Sequence, residues 1–192
     1  MWTVAPHIKE PQAVESLMLA FGKALHLASE FERKCQYVLR VFNLDEIFKA
    51  TGDSEAAFAA AAAAKDALLA QTIAGMKKIS HITTNEVELL TKARLARNYI
   101  VHESGKIGPI HQLQEKHIAD AFTELRPAVI DLARGDNVVS AWNLAIQEKL
   151  AAPEWITRTY EARVLCWIFG DSFSGPSSWD EWVLAQLPDR PH

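Results

Sequence analysis

The chain is predicted to be all-α: an up-and-down bundle of four main helices with a helical C-terminal extension. Apolar residues recur at spacings of three, four or seven over long stretches. Strand-like alternation holds nowhere for long. Breaks and capping residues punctuate these stretches at Thr51–Ser54, Thr83–Asn85 and Ser104–Pro109.

The first helix opens at Pro11, which suits a first helical turn. Val14, Met18, Phe21, Leu25, Ala28, Cys35, Leu39 and Phe42 mark its seam. A helix of that length spans about 45 Å, as bundle helices do. Asp53 or Ser54 caps a second helix from about Glu55, which carries the alanine run 59–64 and the larger contacts Phe58, Leu69, Ile73, Met76 and Ile79. Thr83 or Thr84 caps a third, with Glu86 and Glu88 placing negative charge at the positive end of its dipole; it runs to about Glu103. A fourth is expected from about Ile110 to Arg134, kinked or restarted at Pro127 and ended by Gly135. The bundle domain is thus read as 11–134. The remainder, 137–192, is read as a helical extension packed on the same domain, with helices near 138–150 and 154–169, a loop from Asp171 to Ser178 and a capping box at Ser178–Glu181. Its tryptophans, Trp142, Trp155, Trp167, Trp179 and Trp182, read as core or dimer contacts rather than base-stacking platforms.

At 192 residues the chain is long enough to bury a core without staples. Its net charge of −4 excludes nucleic-acid binding by bulk electrostatics, so any RNA contact is local or comes from a dimer groove. Cys35 and Cys166 stand in apolar surroundings and read as reduced core thiols. Neither a metal-ligand spacing nor a Gly-rich phosphate loop is present, so no metal or cofactor is expected. The N-terminal segment lacks a signal-peptide pattern and charges interrupt every apolar stretch; the expectation is a cytoplasmic protein with no membrane span.

The chemistry concentrates in Arg97-Asn98-Tyr99-Ile100-Val101-His102. On a helical wheel at about 100° per residue, Leu89, Ala93, Ala96 and Ile100 lie on one side of Arg97 and Leu90 and Val101 on the other. Asn98 and His102 share the adjoining strip. The arginine therefore projects from the apolar face of its helix. Burying a guanidinium alone is expensive, so it needs a carboxylate or a wet crevice that takes an anion. The seam of the first helix offers Glu32, at the position its three-four rhythm leaves out. Two readings stand: a structural Arg97–Glu32 ion pair in a non-catalytic interaction or regulatory module, or a catalytic crevice in which Glu32 orients Arg97. Histidine gives or takes a proton near neutral pH, and arginine stabilises charge building on phosphoryl oxygens. An arginine, a polar residue and a histidine are what metal-free RNA cleavage requires. Lys92 and Arg94 read as a solvated face or as local RNA contacts. His111 and His117 lie on the fourth helix, with His117 read as a core or interface histidine.

The segment LARNYIVHE, residues 95–103, resembles the signature of the HEPN superfamily, an arginine followed after four to six residues by histidine. The resemblance covers roughly residues 11–134. It implies a helical bundle that dimerises so that two motifs meet in one cleft, and a metal-independent endoribonuclease acting as a toxin or in anti-phage defence. It makes Arg97 and His102 the catalytic pair and Asn98 their polar support, and allows an acidic residue of the first helix to assist; Glu32 is chosen for that from the seam. It also implies a possible antitoxin protein. Some toxins of this family carry a modifiable tyrosine two residues after the histidine. Ser104 stands there, and Tyr99 lies inside the motif instead.

Overall fold

A computed structural model describes residues 11–63, 68–79, 82–103 and 113–175. These residues form six helices and no strand: α1 (Pro11–Thr51), α2 (Ser54–Ala63), α3 (Leu69–Met76), α4 (Thr84–Glu103), α5 (Glu115–Glu148) and α6 (Glu154–Phe169). The molecule is an all-α helical bundle, as expected. The loop expected at 104–109, His111, the capping box at 178–181, Trp179 and Trp182 lie outside the described residues.

At 41 residues, α1 runs nine residues past the last seam position. Its buried stripe is Val14, Leu17, Phe21, Ala24, Ala28, Phe31, Cys35 and Val38, a strict three-four alternation. Met18 and Leu25, assigned to the seam from sequence, are 47% and 39% exposed, because the true stripe lies one residue to their side. Phe31 therefore fills the core position, and Glu32 sits at its edge rather than in its middle.

Gly52 turns the chain at φ 68°, and Asp53 Oδ1 accepts the backbone N–H groups of Glu55 and Ala56 to cap α2. The single helix expected over 55–79 is two, α2 and α3. Phe58, expected to pack inward, is 64% exposed, whereas Leu69, Ile73, Met76 and Ile79 are buried. At the start of α4 Thr83 and Glu86 form the reciprocal capping box.

The largest departure from expectation is α5. One helix of 34 residues passes through both Pro127 and Gly135, absorbing the first helix expected in the extension. Pro127 is exposed, and Leu125, Val129 and Leu132 beside it are fully buried. Their packing offsets the lost hydrogen bond and ring clash, which cost about 3 kcal/mol. Gly135 is not a terminator but a close-approach point. A Cβ there would lie 2.3 Å from Ala93 Cβ and 3.2 Å from the Leu89 carbonyl oxygen, with Phe31 3.5 Å away. Gly135→Ala is accordingly expected to destabilise the protein by about 1–2 kcal/mol in urea denaturation. Overpacking, about 1–3 kcal/mol, outweighs the helix-propensity gain of up to about 1 kcal/mol. Adding Ala93→Gly should restore part of the loss.

α5 is the hub: it lies along α1 and α4, while α6 packs against α5 and α1. Trp167 of α6 meets His26 edge-on, and its carbonyl accepts Lys23. Trp142 packs on Phe42, and Arg163 lies over Trp155 and Phe173. Cys35 is buried and Cys166 half-buried. Burial, helped by the negative charge of Asp136, pushes the Cys35 thiol well above its ordinary range.

Candidate functional site

Arg97 leaves α4 beside Leu90, Ala93 and Ile100, all fully buried, as the wheel requires. Its Nη2 donates to Glu32 Oε2 of α1 at 2.5 Å, and its Nη1 to Asn98 Oδ1 at 3.2 Å. Its Nε is buried and has no hydrogen-bond partner among the described residues. The side chains of Arg97 and Glu32 are 23% and 24% exposed, so neither is sealed from solvent.

They open onto a crevice of about 230 Å³ lined by Glu32, Arg94, Arg97, Asn98 and the first turn of α3, Leu68 to Ala70. Among the described residues, two guanidiniums face one carboxylate there, a net positive lining inside a chain that is net negative.

His102 is exposed, one turn beyond Asn98 on the same strip of α4, and does not line the crevice. Lys92 is elsewhere too. It lines a separate groove of about 550 Å³ with Lys77, Ile82, Thr84, Val87, Glu88 and Thr91. His117, expected in a core or interface, is exposed and acts locally: its Nδ1 accepts the backbone N–H of Gln114 at the start of α5. Tyr99 ties the motif to α5 by donating to Glu124 Oε2 at 3.1 Å.

A second polar cluster, which sequence reasoning missed, ties α5 to α1 and α6. Asp136 of α5 is fully buried. Lys34 Nζ donates to both its oxygens at 3.0 Å and to Ser140 Oγ at 2.8 Å, and the Tyr160 hydroxyl of α6 donates to Asp136 Oδ2. Burial, then the adjacent Asp136 charge, raises the Tyr160 phenol far above its ordinary range. Lys34 is two residues from Glu32, and Gly135 packs on Ala93, one turn before Arg97. α5 thus holds both partners of the ion pair in register. The signal was readable: in an unbroken helix, Asp136 stands one turn past the buried Leu132 and three residues before the buried Val139. Taking Gly135 as a helix end hid it.

Among the described residues, no group of three or more histidine, cysteine, aspartate or glutamate side chains is placed to hold a metal ion. Among the same residues, no helix is long and apolar enough to cross a membrane. Compared with protein-family models, with curated proteins and with solved structures, the chain matches none of them.

Proposed function

We propose that the protein is a metal-independent endoribonuclease of HEPN type, acting as a homodimer. The observation that carries this reading is the arginine of the Arg-x4-His motif, fixed by Glu32 at the mouth of an open, net-positive crevice, with the exposed imidazole of His102 on the adjoining strip. In this reading His102 removes the proton from a ribose 2′-hydroxyl, and the 2′-oxygen attacks phosphorus. The bond to the 5′-oxygen breaks, and that oxygen takes a proton from solvent or from the imidazole of a second copy. The products are a 2′,3′-cyclic phosphate and a 5′-hydroxyl. Arg97 stabilises the charge on the non-bridging oxygens, and Asn98 and Glu32 hold its guanidinium. Service as a toxin or anti-phage defence component in the cytoplasm, restrained by an antitoxin protein, follows from the motif's resemblance alone.

The test is cleavage of single-stranded RNA in EDTA. Cyclic-phosphate ends are expected, with His102→Ala slower by about 10²–10⁴-fold, the usual contribution of general acid–base catalysis. Equal cutting by the folded variant and wild type would sink the reading.

A second reading has its own support. Arg97 and Glu32 are each about three-quarters buried and closely paired, as a structural ion pair in a non-catalytic interaction or regulatory module would be.

A further inference from the structure

The crevice holds more cationic and donor capacity than its one carboxylate uses. Glu32 is taken by Arg97. Arg94, half-buried on the crevice wall, has no ion pair or hydrogen bond among the described residues. A half-buried guanidinium keeps its charge and five donors, so it wants an anion. The opposite wall is the start of α3. Its N-cap is Leu68, in an extended conformation (φ −60°, ψ 148°), with no side-chain hydrogen bond to the turn. Leucine is a poor N-cap because it offers no acceptor, so among the described residues no side chain caps the N–H groups of Leu69 and Ala70 at the crevice, where the positive end of the dipole lies. Gln71 bonds back to the Leu68 N–H at 3.1 Å, which settles that donor but not those of Leu69 and Ala70.

We infer that the crevice is a phosphate-binding subsite, in which Arg94, the Asn98 amide and the uncapped first turn of α3 hold a nucleic-acid backbone phosphate against the Arg97–Glu32 pair. That the phosphate belongs to an RNA strand rests on the nuclease reading; the anion site itself rests on the crevice. The subsite divides labour along α4. Arg94 binds, while His102, outside the crevice, does chemistry on a neighbouring group of the same strand.

The experiment measures binding of a fluorescent single-stranded oligodeoxynucleotide, which has no 2′-hydroxyl and is not cut, in competition with inorganic phosphate. Arg94→Ala should weaken binding about ten- to a hundredfold, the value of a charge-assisted hydrogen bond. Leu68→Asp is the sharper variant. Leu68 is 69% exposed, so the change is tolerated, and aspartate caps α3. Its carboxylate occupies the anion's place. The thermal midpoint should hold or rise while oligonucleotide binding falls about tenfold or more; Leu68→Asn, a neutral cap, should fall between. His102→Ala should bind as wild type does. Oligonucleotide affinity unchanged in both Arg94→Ala and Leu68→Asp overturns the subsite. Inorganic phosphate that binds in an Arg94-dependent way without displacing the oligonucleotide overturns the backbone assignment. Undiminished RNA cutting by His102→Ala would instead defeat the nuclease reading, and the binding arms remain legible without it.

Discussion

Asp136→Ala is expected to cost about 3–5 kcal/mol of stability, the usual penalty for removing one partner of a buried ion pair. The carboxylate is fully buried and satisfies Lys34, Ser140 and Tyr160 at once, joining α1, α5 and α6. Without it, the Lys34 ammonium, whose side chain is only 19% exposed, loses its counter-charge. The loss is a large share of the roughly 5–15 kcal/mol that holds a domain together. Urea denaturation of wild type and variant measures it. Lys34→Met with Asp136→Leu should recover part of the loss, since both charges are removed while the Tyr160 hydroxyl still loses its acceptor. A loss below about 1 kcal/mol would show that the cluster is far wetter than its burial implies. The same cluster sets an alkaline limit. Because Tyr160 is raised in the folded protein, its contribution is fully present below the unfolded tyrosine pKa of about 10 and is lost as pH climbs toward the folded value. Tyr160→Phe should flatten that decline.

The parts of the fold legible in the sequence were those set by local pattern. The apolar arc of α4, the Thr83–Glu86 capping box and the Asp53 cap follow from periodicity and from orphaned N–H groups, and each is where the chain implies it. What local pattern could not decide is what a residue packs against. Gly135 stops a helix in isolation; against Ala93 it lets two helices approach. Pro127 breaks a helix in isolation, yet three fully buried neighbours carry α5 past it. On α1, Met18 and Leu25 fit the three-four rhythm as well as Leu17 and Ala24 do, and only the partner helices choose between the two registers. The same limit applies to the site. The Glu32–Arg97 pair was readable because an isolated charge on an apolar helix face calls for an opposite one. The α3 wall of the crevice was not, because nothing local relates Leu68 to Arg94.

Arg97→Ala is the variant that divides the two functional readings, because each assigns its main effect to a different quantity. If the pair is purely structural, deleting the guanidinium strands Glu32, and stability falls by about 3–5 kcal/mol with no activity to lose. The observed geometry argues for less. Both side chains are about a quarter exposed and open onto a crevice that water can enter, so the stranded carboxylate is partly hydrated. The expected loss is about 1–2 kcal/mol, between a surface pair and a buried one. The larger effect should fall on cleavage. Removing a preorganised donor from developing phosphoryl charge costs about 10²–10³-fold in rate. Arg97→Lys keeps the charge but not the fork that meets Glu32 and Asn98 together, so it should hold most of the stability and little of the rate. Glu32→Gln completes the comparison. If Glu32 serves only to position Arg97, its loss should slow cleavage without adding to the effect of Arg97→Ala in the double variant. A melt and a cleavage assay on these variants therefore give two independent coordinates. A variant that melts far below wild type, in a protein that never cuts RNA, lands on the structural reading; one that folds almost normally and has lost only its rate lands on the catalytic one.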